Sequence, residues 1–511
     1  MQTTDFLLKY IDSSFSYGFI EYRRLEIERT DSTNYGIIYT PFDVIERQLD
    51  QIPEQYFREP TYRWLDTGAG IGNYCIVLFK RLFLGLSGEI IDIHERIRHI
   101  IENMIFMVEI FPDHIAHLKR IFGLKANIID RCFLSLDTNR QHHGIGQHHG
   151  IGQHYGLGQF DVIIGNPPYN INGSIKTPTN NKVKKSDDGR TVYVDFVVKS
   201  LDLLKPGGFL NYIIPSLWLK PDKAGLYRRL TNLKIHSLTA LNTNDSQRAF
   251  KYQAQTPTCY FLVENTQNKD NQCIIAIWDK IVNKYQDYRL LPEYPIPCYG
   301  VSIINKLLKY VELWGCLKPE KSNTLRKDVK VAGEKSQTYP YKNITTCRLD
   351  GSQPAIQYNW SNRECQWSRQ PKLVLAHKMY GFPFLDASGE CGISTRDNYV
   401  FFGDDNNNDN DNDNDNDGHG SRLPNLETLQ KYLSTKFALF IFGSTNYRMR
   451  YLERYAFQFI PDILAIPEFD REKIDCDRLG RDRYIADFFG LTEREREIVE
   501  TACNRDYSYF V

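Results

Sequence analysis

The sequence predicts an α/β fold with a doubly wound, mostly parallel sheet, followed by a second domain of mixed α+β character. Residues 61–264 alternate short apolar runs with helical stretches, which is typical of strands joined by helical crossovers. A glycine-rich turn at residues 66–72 follows the first strand and precedes a helix. The apolar run Val162-Ile163-Ile164 indicates a buried strand. Ligands of such sheets bind at the carboxyl ends of the strands, so a site is expected there.

The predicted elements follow one another along the first half of the chain. Strands are expected at residues 63–66, 103–109, 127–129, 161–165 and 209–214, and helices at 72–84, 114–122 and 193–204, with another beginning at Phe42. After Glu264, aromatic residues, proline and glycine become frequent and helical periodicity weakens. We therefore expect a first domain over 1–264, a second over 265–467 and a charged helical segment over 468–511, with a helix start at Leu491-Thr492-Glu493.

Length, charge and cysteine content restrict the class of protein. With 511 residues, the chain is too long for one ordinary core. Lys+Arg and Asp+Glu both total 63, so net charge gives no argument for nucleic acid, although a local basic patch can bind phosphate. The 11 cysteines form no CxxC pair, which favours free thiols in a reducing compartment. Because no signal peptide and no apolar run of roughly 18 residues is found, we expect a soluble, intracellular protein without membrane contact.

Two low-complexity tracts interrupt the chain. Residues 141–159 repeat a QHHGIG-type hexad, and residues 404–417 are almost pure Asp and Asn. Histidines can bind a metal and carboxylates can bind calcium. However, the glycines of the first tract leave no fixed ligand geometry, and the second lacks the glycine turn and bidentate Glu of a formed calcium site. We expect two solvated surface loops and no metal requirement.

The glycine-rich turn and the next strand end carry candidate ligand-binding residues. Asp66, Gly68, Gly70 and Gly72 lie between a strand and a helix, where backbone can approach a ligand closely. Such a turn also occurs in dinucleotide sites and in plain loops. Asp66 disfavours a pyrophosphate and attracts an ammonium group. Glu109 ends the second strand, where a carboxylate can bind both ribose hydroxyls or remain a solvated charge.

The sharpest signal is Asn166-Pro167-Pro168-Tyr169, which follows the buried strand. The prolines fix the backbone and remove two donors. The carbonyl groups of Asn166 and Pro167 are therefore free to accept from an external NH2 group, and Tyr169 offers a flat surface to a planar ring. An aromatic amine is a poor nucleophile because its lone pair is delocalised. Two acceptors on its hydrogens would favour a pyramidal nitrogen that can attack a methyl donor.

With these residues, the chain resembles the amino-methyltransferases that carry an Asn-Pro-Pro-Tyr motif, and specifically the adenine-N6 DNA methyltransferases of restriction-modification systems. The resemblance implies a Rossmann-like methyltransferase domain over 1–264, which binds S-adenosyl-L-methionine, and a DNA target-recognition domain over 265–467. It assigns catalysis to Asn166, Pro167, Pro168 and Tyr169.

The resemblance extends to other positions. Gly36-Ile37-Ile38-Tyr39-Thr40-Pro41 matches a cofactor-site element of the family, so Tyr39, Thr40 and Pro41 join the cofactor residues Asp66, Gly68, Gly70, Gly72 and Glu109. Residues 204–208 match a later fold motif. Phe250 resembles the aromatic that helps Tyr169 to hold an extruded base, with Tyr252 as the alternative.

The chain also departs from the family pattern. Thr67 replaces a usual proline. Where the family has Asp-Phe-Leu, with the Asp touching the cofactor adenine, Phe133-Leu134 follows Cys132. Either Asp130 supplies that contact, as we predict, or the chain lacks it.

A duplex base would have to be flipped out to reach this motif, so the resemblance implies double-stranded DNA as partner. Residues 171–190 form a polar loop with Lys176, Lys182, Lys184, Lys185 and Arg190, which either contacts phosphates or is simply solvated. Residues 318–380 hold twelve Lys/Arg against five Asp/Glu. The aromatics interleaved with them are Tyr339, Tyr341, Trp360 and Trp367. This mixture suits phosphate and base contacts, and also protein partners.

Residues 381–384 and 446–450 resemble target-recognition segments of the family. Because about 35 residues precede Tyr39, we expect a stand-alone, monomeric methyltransferase without a nuclease.

Two alternatives stay open. Protein-glutamine and RNA guanine methyltransferases also use Asn-Pro-Pro-Tyr, and cytosine N4 is chemically similar to adenine N6. The glutamine enzymes, however, carry a helical domain before the fold and end soon after it. The second alternative is a catalytically decayed protein that only binds nucleic acid. The departures at Thr67 and Cys132 favour it, whereas the intact Asn166–Tyr169 motif argues against it.

Overall fold

The computed structural model describes the chain in segments that together cover most of both predicted domains. Described are residue 7 and residues 38–136, 159–170, 191–251, 254, 256–268, 273–350, 353–377, 382–403, 422–448 and 452–502. The chain divides into two compact units, Met1–Trp278 with Arg289–Glu293, and Asp279–Tyr288 with Tyr294–Val511. Most of the low-complexity tract at 141–159, all of that at 404–417, the basic loop at 171–190 and Tyr252 lie outside the described residues.

The first unit is built on a mostly parallel sheet. Its strands are β1 (Trp64–Asp66), β2 (Ile105–Glu109), β3 (Asn127–Asp130), β4 (Phe160–Gly165), β5 (Leu204–Pro215), β6 (Leu233–Leu241), β7 (Thr258–Gln267) and β8 (Cys273–Asp279). Their order in the sheet is β3-β2-β1-β4-β5-β7-β6-β8. Strands β1 to β5 are parallel, and β7 runs antiparallel between β5 and β6. The predicted doubly wound α/β fold is therefore confirmed, and the strand order reverses between β1 and β4.

Helices connect these strands. They are α1 (Phe42–Leu49), α2 (Asn73–Gly85), α3 (Ile93–His99), α4 (Pro112–Phe122), α5 (Tyr193–Leu203), α6 (Leu226–Thr231) and α7 (Thr243–Ala249). Single helical turns add Glu54–Phe57, Ile100–Met104, Phe133–Ser135 and Ser216–Leu219. Every strand and helix predicted in this unit is present, within two residues at most ends. Strand β5 begins five residues before the predicted one because residues 204–208 also join the sheet.

The core of the first unit explains why these segments become strands. All residues of β1 and all of β4 are buried, because helices cover both faces of the sheet. Trp64, Val162 and Ile164 pack with α2 residues such as Phe79 in one apolar cluster. The boundary expected after Glu264 falls inside β7, whose residues pair with β5 and β6 and so belong to the same sheet.

The second unit contains both strands and helices, as expected for a mixed α+β domain. Two four-stranded sheets have the orders β10-β17-β14-β15 and β11-β13-β12-β16. Their strands are β10 (Glu320–Lys321), β11 (Val331–Ala332), β12 (Tyr341–Asp350), β13 (Gln353–Ser361), β14 (Lys372–Ala376), β15 (Phe384–Asp386), β16 (Gly392–Ile393) and β17 (Asn398–Phe401). Strand β9 (Lys284–Leu290) contains residues of both units. Ile344, Val374 and Val400 belong to one small core to which both sheets contribute.

Five helices complete the second unit. They are α8 (Val301–Trp314), α9 (Arg422–Leu433), α10 (Lys436–Gly443), α11 (Arg478–Phe488) and α12 (Glu493–Ala502), with single turns at Arg454–Phe459 and Glu472–Asp475. The predicted helix start is confirmed, since Thr492 and Glu495 exchange the hydrogen bonds of a capping box. Among the described residues, no helix combines the length and apolarity needed to cross a membrane.

Candidate cofactor and catalytic site

The carboxyl ends of four neighbouring strands bring the predicted site residues to one edge of the first sheet. Strands β1, β2 and β3 end at Asp66, Glu109 and Asp130, and β4 ends at Gly165, just before Asn166. Asp66 lies beside Ile164 in register, and Glu109 lies beside Asp130. Because β1 and β4 flank the point where the strand order reverses, this edge is where a doubly wound sheet binds its ligand.

Asp66 is a buried carboxylate at the centre of this edge. Its side chain is 2% exposed and accepts from the N–H of Gly68 at 3.2 Å and from the Cys75 thiol at 3.7 Å. Burial raises the pKa of Asp66 from 3.8 to about 7, despite these hydrogen bonds, and the negative charge of Glu109 adds to the rise. A cationic ligand would therefore stabilise the charge that burial disfavours.

Two glycines of the turn adopt backbone conformations that other residues rarely take. Gly70 has φ +54°, and a Cβ there would lie 2.9 Å from Cε1 of Tyr39. Gly72 has φ +91° and precedes α2, where a Cβ would lie 2.8 Å from Leu118. Gly68 has open space around it. The turn is thus a cradle in which side chains at Gly70 and Gly72 are excluded.

Glu109 is held by groups that the sequence analysis missed. Its Oε2 accepts from the N–H of Gly70 at 2.7 Å, and its Oε1 accepts from the N–H groups of Ile110 and Phe111 at 2.7 and 2.9 Å. Nδ1 of His114 lies 3.6 Å from Oε1. Burial acts to raise the pKa of Glu109, but the interaction with His114 and the backbone hydrogen bonds outweigh it, so this pKa lies below its ordinary value.

His114 also links Glu109 to the segment before the fold, since its Nε2 is 3.0 Å from the hydroxyl of Tyr39. Tyr39 and His114 are 75 residues apart. No local pattern identifies such a pair, although the position of His114 in the first turn of α4, next to a strand end, could have drawn attention to it.

The Asn166–Tyr169 turn leaves β4 directly beside Asp66. Gly165 has φ +139°, and a Cβ there would lie 2.9 Å from Oδ1 of Asp66. The Nδ2 of Asn166 donates to Oγ1 of Thr40 at 3.1 Å. Oδ1 of Asn166 and the hydroxyl of Tyr169 are buried, and neither has a hydrogen-bond partner among the described residues. Such orphaned buried groups are costly, so they indicate positions where a ligand completes the hydrogen bonding.

The residues present fit S-adenosylmethionine. Without side chains at Gly70 and Gly72, a ligand can approach the backbone of the turn closely. Asp66 offers a negative charge to an ammonium group. Glu109 keeps unused lone pairs on a carboxylate that is ionised at neutral pH. Thr40 and Pro41 are buried next to this edge, and Asn73 at the start of α2 donates to the Thr40 carbonyl at 2.9 Å.

Two predicted residues are placed differently from the rest. Asp130 is exposed, beside Glu109 at the end of β3, so it is free to reach a ligand at this edge. Cys132 is exposed as well. Phe250, by contrast, is 2% exposed and packs in the hydrophobic core of the first unit. Phe250 lies at the C-terminal end of α7, and its side chain points into the core. Its ring is therefore not exposed for stacking on a base, which corrects the expectation that Phe250 offers a stacking surface.

The basic region of the second unit is less cationic than its composition suggests. Lys372 is fully buried and pairs with Asp386 at 2.7 Å. Lys342 pairs with Glu390 at 2.8 Å and lies over the Tyr358 ring. The exposed basic residues of residues 318–335 are Lys318, Lys321, Arg326, Lys327, Lys330 and Lys335. These six cations share that stretch with three exposed acidic residues, Glu320, Asp328 and Glu334, so its excess of positive charge is modest.

Several aromatic residues in the basic region and in the segments that resemble target-recognition segments have structural roles. Tyr447 is fully buried and donates to the carbonyl of Ile296 at 2.7 Å. Phe382 is buried, and Trp367 packs edge-on against Phe402 beside the small core. Tyr341 is 37% exposed and remains available. Residues 381 and 449–450 of the resembling segments lie outside the described residues.

Comparison with known proteins identifies part of the first unit. Residues 91–250 match the sequence model of the Eco57I restriction-modification methylase family. They include Glu109, Asp130 and the Asn166–Tyr169 turn. This segment is similar to the restriction-modification methylases.

Two curated relatives align with this chain over limited lengths. The type II restriction enzyme and methyltransferase RM.Eco57I of Escherichia coli is 30% identical over 145 residues, which cover 27% of this chain and 14% of the relative. The type II methyltransferase M.PaeR7I of Pseudomonas aeruginosa is 32% identical over 218 residues, covering 39% of this chain and 35% of the relative. The chain thus matches well under half the length of either protein.

A solved structure resembles more of the chain at lower identity. The type IIG restriction endonuclease BpuSI is 12% identical, with 93% of this chain and 66% of that chain covered and a TM-score of 0.39.

Proposed function

We propose that the methylase transfers a methyl group from S-adenosylmethionine to N6 of an adenine that is flipped out of duplex DNA. The observation that carries the proposal is the edge of the sheet where the carboxylates of Asp66 and Glu109 meet the orphaned Oδ1 of Asn166. This arrangement offers recognition of a cationic, ribose-bearing ligand next to acceptors for an amine. The family match of residues 91–250 supports DNA as the substrate class.

Each residue of the site has a defined task in this proposal. Asp66 binds the ammonium group of the cofactor, and Glu109 binds its ribose hydroxyls. Asp130 contacts the adenine of the cofactor. The tight turn at Gly70 lies against the Tyr39 ring, so both border the cofactor in this proposal. When bound, S-adenosylmethionine supplies an electrophilic methyl group.

The Asn166–Tyr169 turn prepares the nucleophile. The side-chain oxygen of Asn166 and the carbonyl of Pro167 accept the two hydrogens of the target NH2 group, which favours a pyramidal nitrogen with an available lone pair. The ring of Tyr169 stacks on the extruded base. Burial raises the pKa of Tyr169 far above its ordinary value, so its hydroxyl stays a neutral hydrogen-bond donor at every pH of interest. Among the described residues, Tyr169 is the aromatic that the proposal assigns to the base, since Phe250 is buried in the core.

Methylation of DNA in cells tests this function and supplies the recognition sequence. The chain is expressed in a host without its own adenine methylation, and base-resolved sequencing maps N6-methyladenine. We expect methylation at one recurrent motif. Asn166→Ala removes the orphaned acceptor and should lower transfer at least about a hundredfold, because preorganised acceptors contribute that much in active sites.

A matched control separates catalysis from folding. Asn103→Ala removes an exposed amide that bonds to His99 outside the site, and it should methylate like the wild type. Folded, cofactor-binding protein that leaves no N6-methyladenine at any motif would refute the adenine assignment. Methylated glutamine in proteins or methylated cytosine in the same cells would identify the alternative substrate.

A further inference from the structure

Behind the catalytic turn, the first unit holds a chain of buried polar side chains that the proposed reaction does not use directly. Gln48 on α1 is fully buried, and its Nε2 donates to the backbone carbonyl of Asn211 on β5 at 2.8 Å. The hydroxyl of Tyr74 on α2 donates to Oε1 of Gln48 at 2.7 Å. The Thr40 side chain interacts with the same Tyr74 hydroxyl.

This series of hydrogen-bonded side chains ends at the side-chain amide of Asn166. Thr40 is 3% exposed and its Oγ1 accepts from Nδ2 of Asn166 at 3.1 Å. Its own carbonyl is fixed by Nδ2 of Asn73 at 2.9 Å. Thr40 therefore has little freedom to move, and its hydroxyl is held between Tyr74 and Asn166.

Every hydrogen bond in this series is donated in the same direction, from Asn166 toward the Asn211 carbonyl. A backbone carbonyl can only accept, so Asn211 requires the NH2 end of the Gln48 amide, and the Gln48 oxygen then faces Tyr74. Tyr74 gives its only proton to that oxygen and can only accept from Thr40. Burial raises the pKa of Tyr74, whereas the Thr40 side chain acts to lower it, which is the effect of a Thr40 hydroxyl directed at the Tyr74 oxygen. A Thr40 hydroxyl directed in this way is left as an acceptor toward Asn166.

The hydrogen bond between Thr40 and Asn166 selects between the two orientations of the Asn166 side-chain amide. Because Thr40 presents a lone pair, the NH2 end of Asn166 faces Thr40 and the oxygen faces away. That oxygen is the buried Oδ1 that lacks a partner among the described residues. With the amide reversed, an NH2 group would meet the NH2 group of the target base, and two donors cannot bond to each other.

We propose that the hydrogen-bond chain from the Asn211 carbonyl through Gln48, Tyr74 and Thr40 sets the orientation of the Asn166 amide, so that its oxygen faces the target amine. Thr40, Tyr74 and Gln48 are then positioning residues for catalysis. Thr40 acts through Asn166 rather than as the cofactor contact that the resemblance implies. This inference rests on the proposed amino-methyltransferase function.

Two substitutions break the chain at different distances from Asn166. Thr40→Val removes the acceptor for the Asn166 NH2 group with little change of shape. Tyr74→Phe leaves the Thr40 hydroxyl free to rotate and to donate, which permits the reversed amide. For both variants we expect the single-turnover methylation rate at saturating cofactor and DNA to fall roughly tenfold, since each loses one buried hydrogen bond that biases the amide. Thr40→Ser keeps the hydroxyl and should restore most of the rate.

Cofactor affinity provides the readout that is independent of activity. Calorimetric titration with S-adenosylmethionine should give Kd values within about twofold of the wild type for Thr40→Val and Tyr74→Phe, because neither change touches Asp66 or Glu109. Thr258→Val is the matched control. It removes a fully buried hydroxyl that bonds to Ser246 at 3.0 Å, in the same unit but outside the chain, and should change neither quantity.

Each outcome decides between explanations. A lower rate with unchanged Kd, rescued by Thr40→Ser, supports the orientation chain. A Kd that rises with the loss of rate would make Thr40 a cofactor contact and overturn the inference, as would rates equal to that of the control. Wild-type protein that binds cofactor but methylates no DNA, RNA or protein would overturn the proposed function itself, and the inference with it.

Discussion

Burial of Asp66 should make the stability of the first unit depend on pH. The pKa of Asp66 is raised from 3.8 to about 7, so the folded protein holds this proton over a range in which the unfolded chain has released it. The associated stability is fully present below about pH 4 and is lost as pH rises through about 7. Asp66→Asn replaces the carboxylate by a neutral side chain of the same shape and should remove this dependence.

The size of the effect follows from the shift. One pKa unit corresponds to about 1.4 kcal/mol, so a shift of about three units lowers the free energy of unfolding by about 4 kcal/mol at pH 8. About 2.5 kcal/mol of stability is lost between pH 5 and pH 8, because the unfolded carboxyl is already ionised at pH 5 whereas the folded one loses its proton near pH 7. Asp66→Asn should therefore be more stable than the wild type at pH 8, and the advantage should shrink toward pH 5.

Urea-induced unfolding of both proteins at pH 5, 6.5 and 8 measures this difference. Asp43→Asn serves as control, because that carboxylate is 70% exposed and pairs with Arg47 on the surface of α1. We expect the control to follow the wild-type pH profile. A difference between Asp66→Asn and wild type that is the same at all three pH values would refute the reasoning, since a buried carboxyl with an ordinary pKa contributes no such slope.

Two further predictions concern the glycine turn and the second unit. Gly70→Ala forces a side chain into φ +54° and against the Tyr39 ring, so S-adenosylmethionine affinity measured by calorimetry should fall about tenfold. Gly68→Ala, which meets no neighbouring atom, should lose less, and equal losses would contradict the steric explanation. Lys372→Met leaves the buried charge of Asp386 unpaired and should lower the free energy of unfolding by about 3–5 kcal/mol. The double variant Lys372→Met/Asp386→Leu should recover most of that stability, and a double variant as unstable as the single would argue against an unpaired charge as the cause.

Much of the first unit was predictable because its signals are local. The strand ending at Asp66, the glycine turn and α2 follow one another within about twenty residues, and hydrophobic periodicity identifies each. The Asn166–Tyr169 turn stood out because two prolines after a buried strand are rare. Strands β6 to β8 were not predicted, since their mixed polar and apolar residues reflect a sheet region of mixed strand direction, in which β7 runs antiparallel to its neighbours and one face is less covered.

The second unit was predicted less well for a related reason. Its strands are short, and several contain only two residues, so they carry too little periodicity to be recognised. Composition alone counted Lys372 among the cations available to DNA, and the family resemblance placed Tyr447 in a segment similar to target-recognition segments. In the structure both side chains are buried and paired, so burial rather than residue type decides which of them can meet a partner.

The sequence by itself determined the α/β architecture, the Asn166–Tyr169 turn and the carboxylates at the strand ends, because each depends on neighbours within a few residues. Only the tertiary structure decided how those residues are set for chemistry. Thr40 meets Asn166 across 126 residues of chain, and Tyr39 meets His114 across 75. Such pairs form when sheet register and helix packing bring distant segments together. The direction of a hydrogen bond between them therefore cannot be read from either segment alone.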